Sequence, residues 1–441
     1  MAREHDVIVI GAGISGLLTS LALSKEGKKV LLLEKENYLG GVCRSYDVDG
    51  YRVDTGPHII TRVDRGPLKE LIDKYFEVSP IFMPHGKYYI RLNGQVRVFP
   101  WNLKDWLSFD ALPPIDRLYL MKTLFSASYI FSSTQDFSRI SVGKLIGDGV
   151  SKETKRFLDC MSYFMTGTSV DEAPVARFID REKYMAISDK FLDKLYAALM
   201  KEGAVDQTYP KNGIQSIIDS IITSMPKDSV DIHTNEGVKK IEVNGDTRIV
   251  ATNKDNYKSN AVIYSGFASD LPELVDNLPK EYSESLNYVK RVNALAVWLG
   301  LNKKIFQNYG SEIWADSDPY SWVVPTSNYD PSLAPKDKQL VGFTFIMPDK
   351  YDIGNEKKKV LNAIYNILPE LESCTEMVHY QHLVPEKAAW TVNTKFASVK
   401  TPINGLYLVG TDTEKKSMGI TRASYSVLNL ISTLREDKII A

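Results

Sequence analysis

Four consecutive apolar residues, Val7-Ile8-Val9-Ile10, run straight into Gly11. An uninterrupted run of that length predicts a strand covered on both faces, as in a parallel sheet. Leu17, Leu18, Leu21 and Ala22 follow at helical spacing, and Gly27 marks the stop. Val30-Leu31-Leu32-Leu33 repeats the first pattern and ends on Glu34. The same grammar returns near the end of the chain. Leu406 to Val409 predicts a buried strand, and Ile420, Ala423, Val427, Ile431 and Leu434 mark one face of a closing helix. Between these ends, residues 110–202 read as mainly helical, with Phe191, Leu192, Leu195, Tyr196 and Leu199 on one stripe and Lys190, Lys194 and Lys201 away from it. Residues 293–301, 321–324 and 339–346 are β-branched or aromatic runs separated by Pro, Asn and Asp, and predict strands.

Chemistry enters at the first turn. Gly11-Ala12-Gly13-Ile14-Ser15-Gly16 joins the first strand to the first helix, and Glu34 stands 18 residues beyond Gly16. Gly11 permits a tight turn, Gly13 lets backbone amides approach a pyrophosphate, and Gly16 lets helix and strand pack closely. The helix N-terminus offers unsatisfied N–H donors, and Glu34 can accept from ribose hydroxyls. This is a dinucleotide site, and the turn alone does not separate NAD from FAD.

A second glycine-rich block follows at once: Lys35, Gly40-Gly41, Arg44, then Gly56-Pro57-His58-Ile59. A nicotinamide dehydrogenase has no evident need of it, whereas a flavin runs on past its pyrophosphate and needs close backbone approach along ribityl and ring. The block resembles the Gly-Gly and Asp-x-Gly-Pro segments of the FAD-dependent amine oxidase superfamily, particularly phytoene desaturases, carotene isomerases and the protoporphyrinogen oxidase-like group. Tyr209-Pro210-Lys211-Asn212-Gly213-Ile214 is similar to that family's Pro-x-Gly-Gly element, with Asn212 in place of the first glycine. Val238 to Ile241 resembles the strand whose valine contacts adenine, and Gly410-Thr411-Asp412 with Gly419-Ile420-Thr421 resembles the closing flavin motif. Val42 departs from the arginine that many members carry after the glycine pair, which leaves Arg44 as the candidate phosphate or flavin contact.

The resemblance implies FAD as cofactor. It is expected to be non-covalent, because Thr413 to Gly419 holds no cysteine. It also implies a Rossmann-like α/β domain assembled discontinuously from residues 1–70, 205–270 and 397–441. Residues 71–204 and 271–396 would form an α+β substrate domain with a mixed sheet and a helical part. His58 is a candidate to border the isoalloxazine. The closing helix would direct its positive end toward the flavin, favouring the charge of the reduced ring by about 0.3–1 kcal/mol. Phe157 to Thr168, similar to a phytoene desaturase segment, would line an apolar tunnel or pack the helical core.

Composition removes other classes. Lys and Arg total 54 against 55 Asp and Glu, so no charge excess points to nucleic acid. Cys43, Cys160 and Cys374 lack the spacing of a metal or dithiol motif. His379 and His382, three apart, would share a helical or turn face but have no acidic companion at metal spacing, so no metal is expected. The reading is a cytoplasmic enzyme, with surface contact to a membrane as the expected delivery route for a lipophilic small molecule. The leading expectation is hydride abstraction from a polyene isoprenoid such as phytoene. The alternatives are protoporphyrinogen or amine oxidation, and non-redox isomerase or mutase chemistry. No catalytic residue and no electron acceptor is assigned.

Overall fold

The structure, a computed structural model, describes residues 5–129, 136–178, 206–245 and 247–441. The first predicted strand, Val7–Ile10, lies at the centre of a five-stranded parallel sheet ordered Leu406–Leu408, Ala261–Tyr264, Val7–Ile10, Val30–Leu33, Val230–His233. Its strands are apolar throughout because both faces are covered. On one face Val7, Val9, Val30 and Leu32 pack against the helices Ile14–Lys25, Pro67–Tyr75, Gln215–Ser224 and Gly419–Glu436. On the other, Ile8, Ile10, Leu31 and Leu33 meet Ile241 and Val250 of a three-stranded antiparallel sheet, Val238–Asn244, Thr247–Thr252 and Asn256–Ser259.

A second, seven-stranded sheet is mixed. Its order is Thr375–Glu386, Val292–Leu301, Gln339–Ile346, Ser321–Val324, Gly310–Trp314, Lys87–Leu92, Gln95–Val98, with Gly310–Trp314 parallel to Lys87–Leu92 and the other pairs antiparallel. Side chains alternate along Val292–Leu301. Leu295, Val297, Leu299 and Leu301 join the core under the helix Ile353–Ile367, while Ala294 and Ala296 face the opposite side with Leu383. The helices Leu103–Ser108, Pro114–Tyr129, Val142–Ile146 and Lys152–Thr166 form a third layer at the Lys87–Leu92 end. The architecture is the expected one: a parallel sheet with helices, joined to an α+β unit with a mixed sheet and a helical part.

His379 and His382 share no helical or turn face, since both lie on the strand Thr375–Glu386. At odd spacing in a strand they point to opposite sides, and they bond Tyr46 and Tyr351 respectively. The stripe Phe191 to Leu199 with Lys190, Lys194 and Lys201 lies outside the described residues.

Candidate cofactor groove and active site

The first glycine turn has the geometry its spacing predicts. Gly11 adopts φ +97°, open to glycine at no steric cost. A Cβ at Gly16 would stand 1.9 Å from the Gly11 carbonyl oxygen, so helix and turn touch backbone to backbone. A Cβ at Gly13 would meet nothing within 4 Å. Gly13 is also the N-cap of Ile14–Lys25 and supplies no side-chain cap, so the N–H groups of the first turn stay available to an anion. Ile14 and Ser15 begin that turn. Glu34 is 8% exposed and braces the loop, accepting from the Ala12 N–H at 2.7 Å and the Glu36 N–H at 2.9 Å. A carboxylate has about four acceptor positions, so two remain for hydroxyl donors.

The second block folds directly onto the first. The Gly40 N–H donates to the Ala12 carbonyl at 2.8 Å, and a Cβ on Gly41 would come within 3.3 Å of Gly13 Cα. Lys35 lies beside Gly237, next to Val238 at the start of its strand. The Glu236 N–H donates to the Glu34 carbonyl at 2.8 Å. Adenosine-side and pyrophosphate-side candidates therefore share one edge of the parallel sheet. The Arg44 guanidinium stacks 3.7 Å over the Tyr38 ring.

Farther along, the Gly56-Pro57 bend is pinned by a residue that sequence reasoning missed. Gln381 accepts from the Gly56 N–H at 2.7 Å and from Trp298 Nε1 at 3.1 Å, and its amide donates to Tyr46 and to the Asp54 carbonyl. Asp54 is fully buried and accepts from Ser45, Tyr209 and the Ile214 N–H. Burial pushes its carboxyl up, against the pull of His58 and these donors. The network ties the bend to the Tyr209–Ile214 segment, where Asn212 holds the left-handed conformation (φ +66°) at the position that resembles a glycine. His58 Nδ1 lies 2.7 Å from the Gly56 carbonyl. The neutral ring therefore carries its proton on Nδ1 and leaves Nε2 as an acceptor. Burial holds His58 below the usual histidine range, opposed by Asp54.

The closing segment meets this bend from the other side. Gly410 adopts φ +153°, and Asp412, 1% exposed, uses Oδ2 to accept from the Ala268 N–H at 2.7 Å. Oδ1 and the second acceptor position of Oδ2 are left for a ribityl hydroxyl. The Thr411 hydroxyl accepts from the Lys387 N–H at 3.1 Å. The Lys387 ammonium donates to the Ser265 and Gly266 carbonyls at 2.6 and 2.7 Å, beside the first glycine turn. Burial lowers its pKa, against the attraction of Asp412. Gly419, with φ +54° and open space where a Cβ would be, starts the closing helix. Ile420 and Thr421 are buried, and the Thr421 hydroxyl bonds the Thr61 carbonyl at 3.0 Å. Glu386 accepts from the Gly419 N–H and, at 3.1 Å, from Arg422. Neither Glu386, Lys387 nor Arg422 carries a local sequence signal.

One cavity, of about 180 Å3, opens where these segments end. Gly56, Pro57, His58, Ile59, Gly419 and Ile420 form part of its wall. The same segments add Val42, Ile60, Thr61, Met418 and Arg422, while the other unit supplies Glu386 and a mostly apolar stretch that includes Phe164, Met165, Val292, Trp322, Ile346 and Leu383. The Phe157–Thr168 segment divides residue by residue, with Cys160 in both the core and the cavity lining. Phe157 and Leu158 are core, whereas Tyr163 to Gly167 line the cavity. The glycine cradle, the buried acceptors and the open helix N-terminus fit FAD: an anion at Gly13, hydroxyls at Glu34 and Asp412, a ring at the cavity.

Comparison with known proteins agrees. Residues 14–421 match the model of the flavin containing amine oxidoreductase family. The chain is 24% identical over 408 residues to the 1-hydroxycarotenoid 3,4-desaturase of Flavobacterium sp. (strain P99-3), covering 83% of this chain and 81% of that one. It superposes on an oxidoreductase from Methanosarcina mazei with a TM-score of 0.79 at 20% identity, over 97% of this chain and 100% of that one. For a candidate protoporphyrinogen oxidase of Exiguobacterium sp. 255-15 the TM-score is 0.75 at 15% identity, over 99% and 100% of the two chains. These structural likenesses are of fold, and the family match supplies the chemistry. The chain belongs to the flavin-containing amine oxidoreductases and is an FAD-dependent oxidoreductase.

Proposed function

We propose that the enzyme abstracts a hydride from an allylic or unactivated C–H bond of a lipophilic substrate, an isoprenoid polyene of the phytoene type. The observation that carries this reading is the cavity: apart from the mutually paired Glu386 and Arg422, its lining includes Phe164, Met165, Val292, Ile346 and Leu383, which suit a hydrocarbon and offer it no charged handle. Bound FAD supplies the two-electron acceptor, the hard chemistry that side chains lack.

The chain's own part is to bind, orient and exclude water. Gly11, Gly13, Ile14, Ser15 and Gly16 hold the pyrophosphate. Glu34, Lys35 and Val238 hold the adenosine. Gly40, Gly41 and Arg44 flank the phosphates. Gly56 to Ile59 back the ring, while Gly410, Thr411, Asp412 and Gly419 to Thr421 hold the ribityl and pyrimidine side. The FAD-binding unit is then 1–70, 205–270 and 397–441, and the remaining segments shape the substrate site. His58, a residue of the cavity wall whose Nε2 carries no proton when Nδ1 donates to the Gly56 carbonyl, would accept the proton that leaves when a second C–H bond is lost.

Delivery from a bilayer suits such a substrate, because tunnel and lipid are similarly apolar. No helix among the described residues is long and apolar enough to cross a membrane. Leu107, Ile115 and Leu118, 55%, 76% and 59% exposed on adjoining helices, give a surface for shallow docking. A second reading, amine oxidation, is favoured by one feature, the Glu386 carboxylate at the cavity wall. Arg422 already neutralises that carboxylate, which leaves the hydrocarbon reading ahead.

The test is anaerobic incubation of the FAD-loaded protein with lipid-extract vesicles, following oxidised-flavin absorbance and analysing the lipids by mass. The proposal expects bleaching together with a polyene two hydrogens lighter. Bleaching by an amine or protoporphyrinogen alone, or an isomerised polyene with no bleaching, would overturn it.

A further inference from the structure

The cavity wall holds a buried ion pair that hydride abstraction from a hydrocarbon does not require. Arg422, 2% exposed in its side chain, lies in the first turn of Gly419–Glu436, and its Nη1 stands 3.1 Å from Glu386 Oε2. The guanidinium is fixed further by the Ala388 and Ser417 carbonyls, each at 3.0 Å. The other oxygen of Glu386, 12% exposed in its side chain, accepts from the Gly419 N–H, the first of the helix. One carboxylate thus answers two positive features at once: the guanidinium and the positive end of an 18-residue helix. Glu386, Arg422 and Gly419 all line the cavity, beside His58 and Ile59.

A helix terminus with a buried arginine would strongly favour negative charge on whatever ring sits before it. Added electron density on a flavin gathers at its N1 and C2=O edge, so such a field would make the flavin more electrophilic. A carboxylate bonded to that turn from the end of the strand Thr375–Glu386 cancels most of the effect, since charge interactions at this range in a water-poor site outweigh screening. We infer that Glu386 is a charge-balancing residue for the bound flavin. It offsets Arg422 and the closing helix, and so holds the FAD less electron-seeking than the bare terminus would. The inference rests on the proposed seat of the ring between Gly56–Ile59 and Gly419–Thr421. Its consequence is a reduced cofactor that passes electrons on more readily, and the expectation of a bare helix end stabilising reduced flavin is revised accordingly.

The test uses the FAD-loaded protein and needs no substrate. Sulfite, which adds reversibly to electron-poor flavins, is titrated against flavin absorbance, and the midpoint potential is measured by dye-coupled reductive titration. In Glu386→Gln the amide keeps an acceptor for the Gly419 N–H while the charge is gone. Sulfite should bind about tenfold more tightly, and the potential should move in the positive direction. Glu386→Gln combined with Arg422→Met removes both charges and should return both readings to within twofold of wild type. Arg422→Met carries the test if Glu386→Gln does not fold: the carboxylate then faces only the helix end, sulfite should bind about tenfold more weakly, and a change below twofold would overturn the inference. A change below twofold in both readings for the single variant, or a tenfold departure of the double variant from wild type, overturns the inference while leaving the seat of the flavin intact. A wild-type protein that retains no FAD would instead overturn the seat.

Discussion

A methyl group at position 16 would stand 1.9 Å from a backbone oxygen, and no side-chain rotation could relieve it. Gly16→Ala is therefore expected to open the first turn and yield protein with little bound FAD, read from the ratio of flavin to protein absorbance; wild-type flavin content would contradict this. His85 makes a different kind of prediction. It is fully buried against the Tyr88 and Tyr329 rings, with Nε2 2.9 Å from the Ser311 hydroxyl, and burial pushes its pKa down to about 3. The unfolded chain takes up a proton near pH 6.5, which the folded one refuses until about pH 3. Stability is then lost as pH falls through 6.5, by up to about 1.4 kcal/mol per pH unit. His58, lowered for the same reason, adds to the slope. His85→Asn should flatten the fall in melting temperature between pH 7 and pH 5, and parallel curves for the two proteins would count against the assignment. The glycines at 11, 13 and 16 were legible because their constraint is local. Gln381, Glu386, Lys387 and Arg422 were not, because each acts on partners from segments remote in the chain.

At the scale of elements, the continuous apolar strands and the closing helix were readable from periodicity, since each is covered by many neighbours and tolerates no polar interruption. The histidines of Thr375–Glu386 were misread because a lone pair of residues three apart carries no period, and only the ladder with Val292–Leu301 decides it. The helix Lys152–Thr166 joins core and cavity. It ends on Gly167, at φ +76°, where a Cβ would lie 2.8 Å from the Val292 methyl groups at the cavity wall. Gly167→Ala should cost about 1 kcal/mol in backbone strain, plus the displacement of Val292, and should slow flavin reduction by substrate. Gly27→Ala, at φ +82° with nothing within 4 Å, is the matched control: similar strain in denaturant unfolding and unchanged reduction. Equal reduction rates in the two variants would remove Val292 and Gly167 from the substrate path.

For the whole molecule, two units meet at one cavity, the parallel sheet bringing the glycine segments and the mixed sheet with its helices bringing the apolar wall. The same layout places Ile115 and Leu118 on an outer helix of the second unit. Ile115→Asp with Leu118→Asp should lower co-flotation with lipid vesicles at least several-fold without changing the melting temperature, and undiminished flotation would refute that docking face. The central claim is that the separated segments around Gly13, Gly56 and Gly419 embrace a single FAD whose ring faces the apolar cavity. The structure of the FAD-loaded protein tests it most directly. The account predicts pyrophosphate at the N-terminus of Ile14–Lys25 and the isoalloxazine between Gly56–Ile59 and Gly419–Thr421, with Phe164 and Leu383 across the substrate space. A ring seated elsewhere, or a nicotinamide dinucleotide in the first glycine turn, would contradict it.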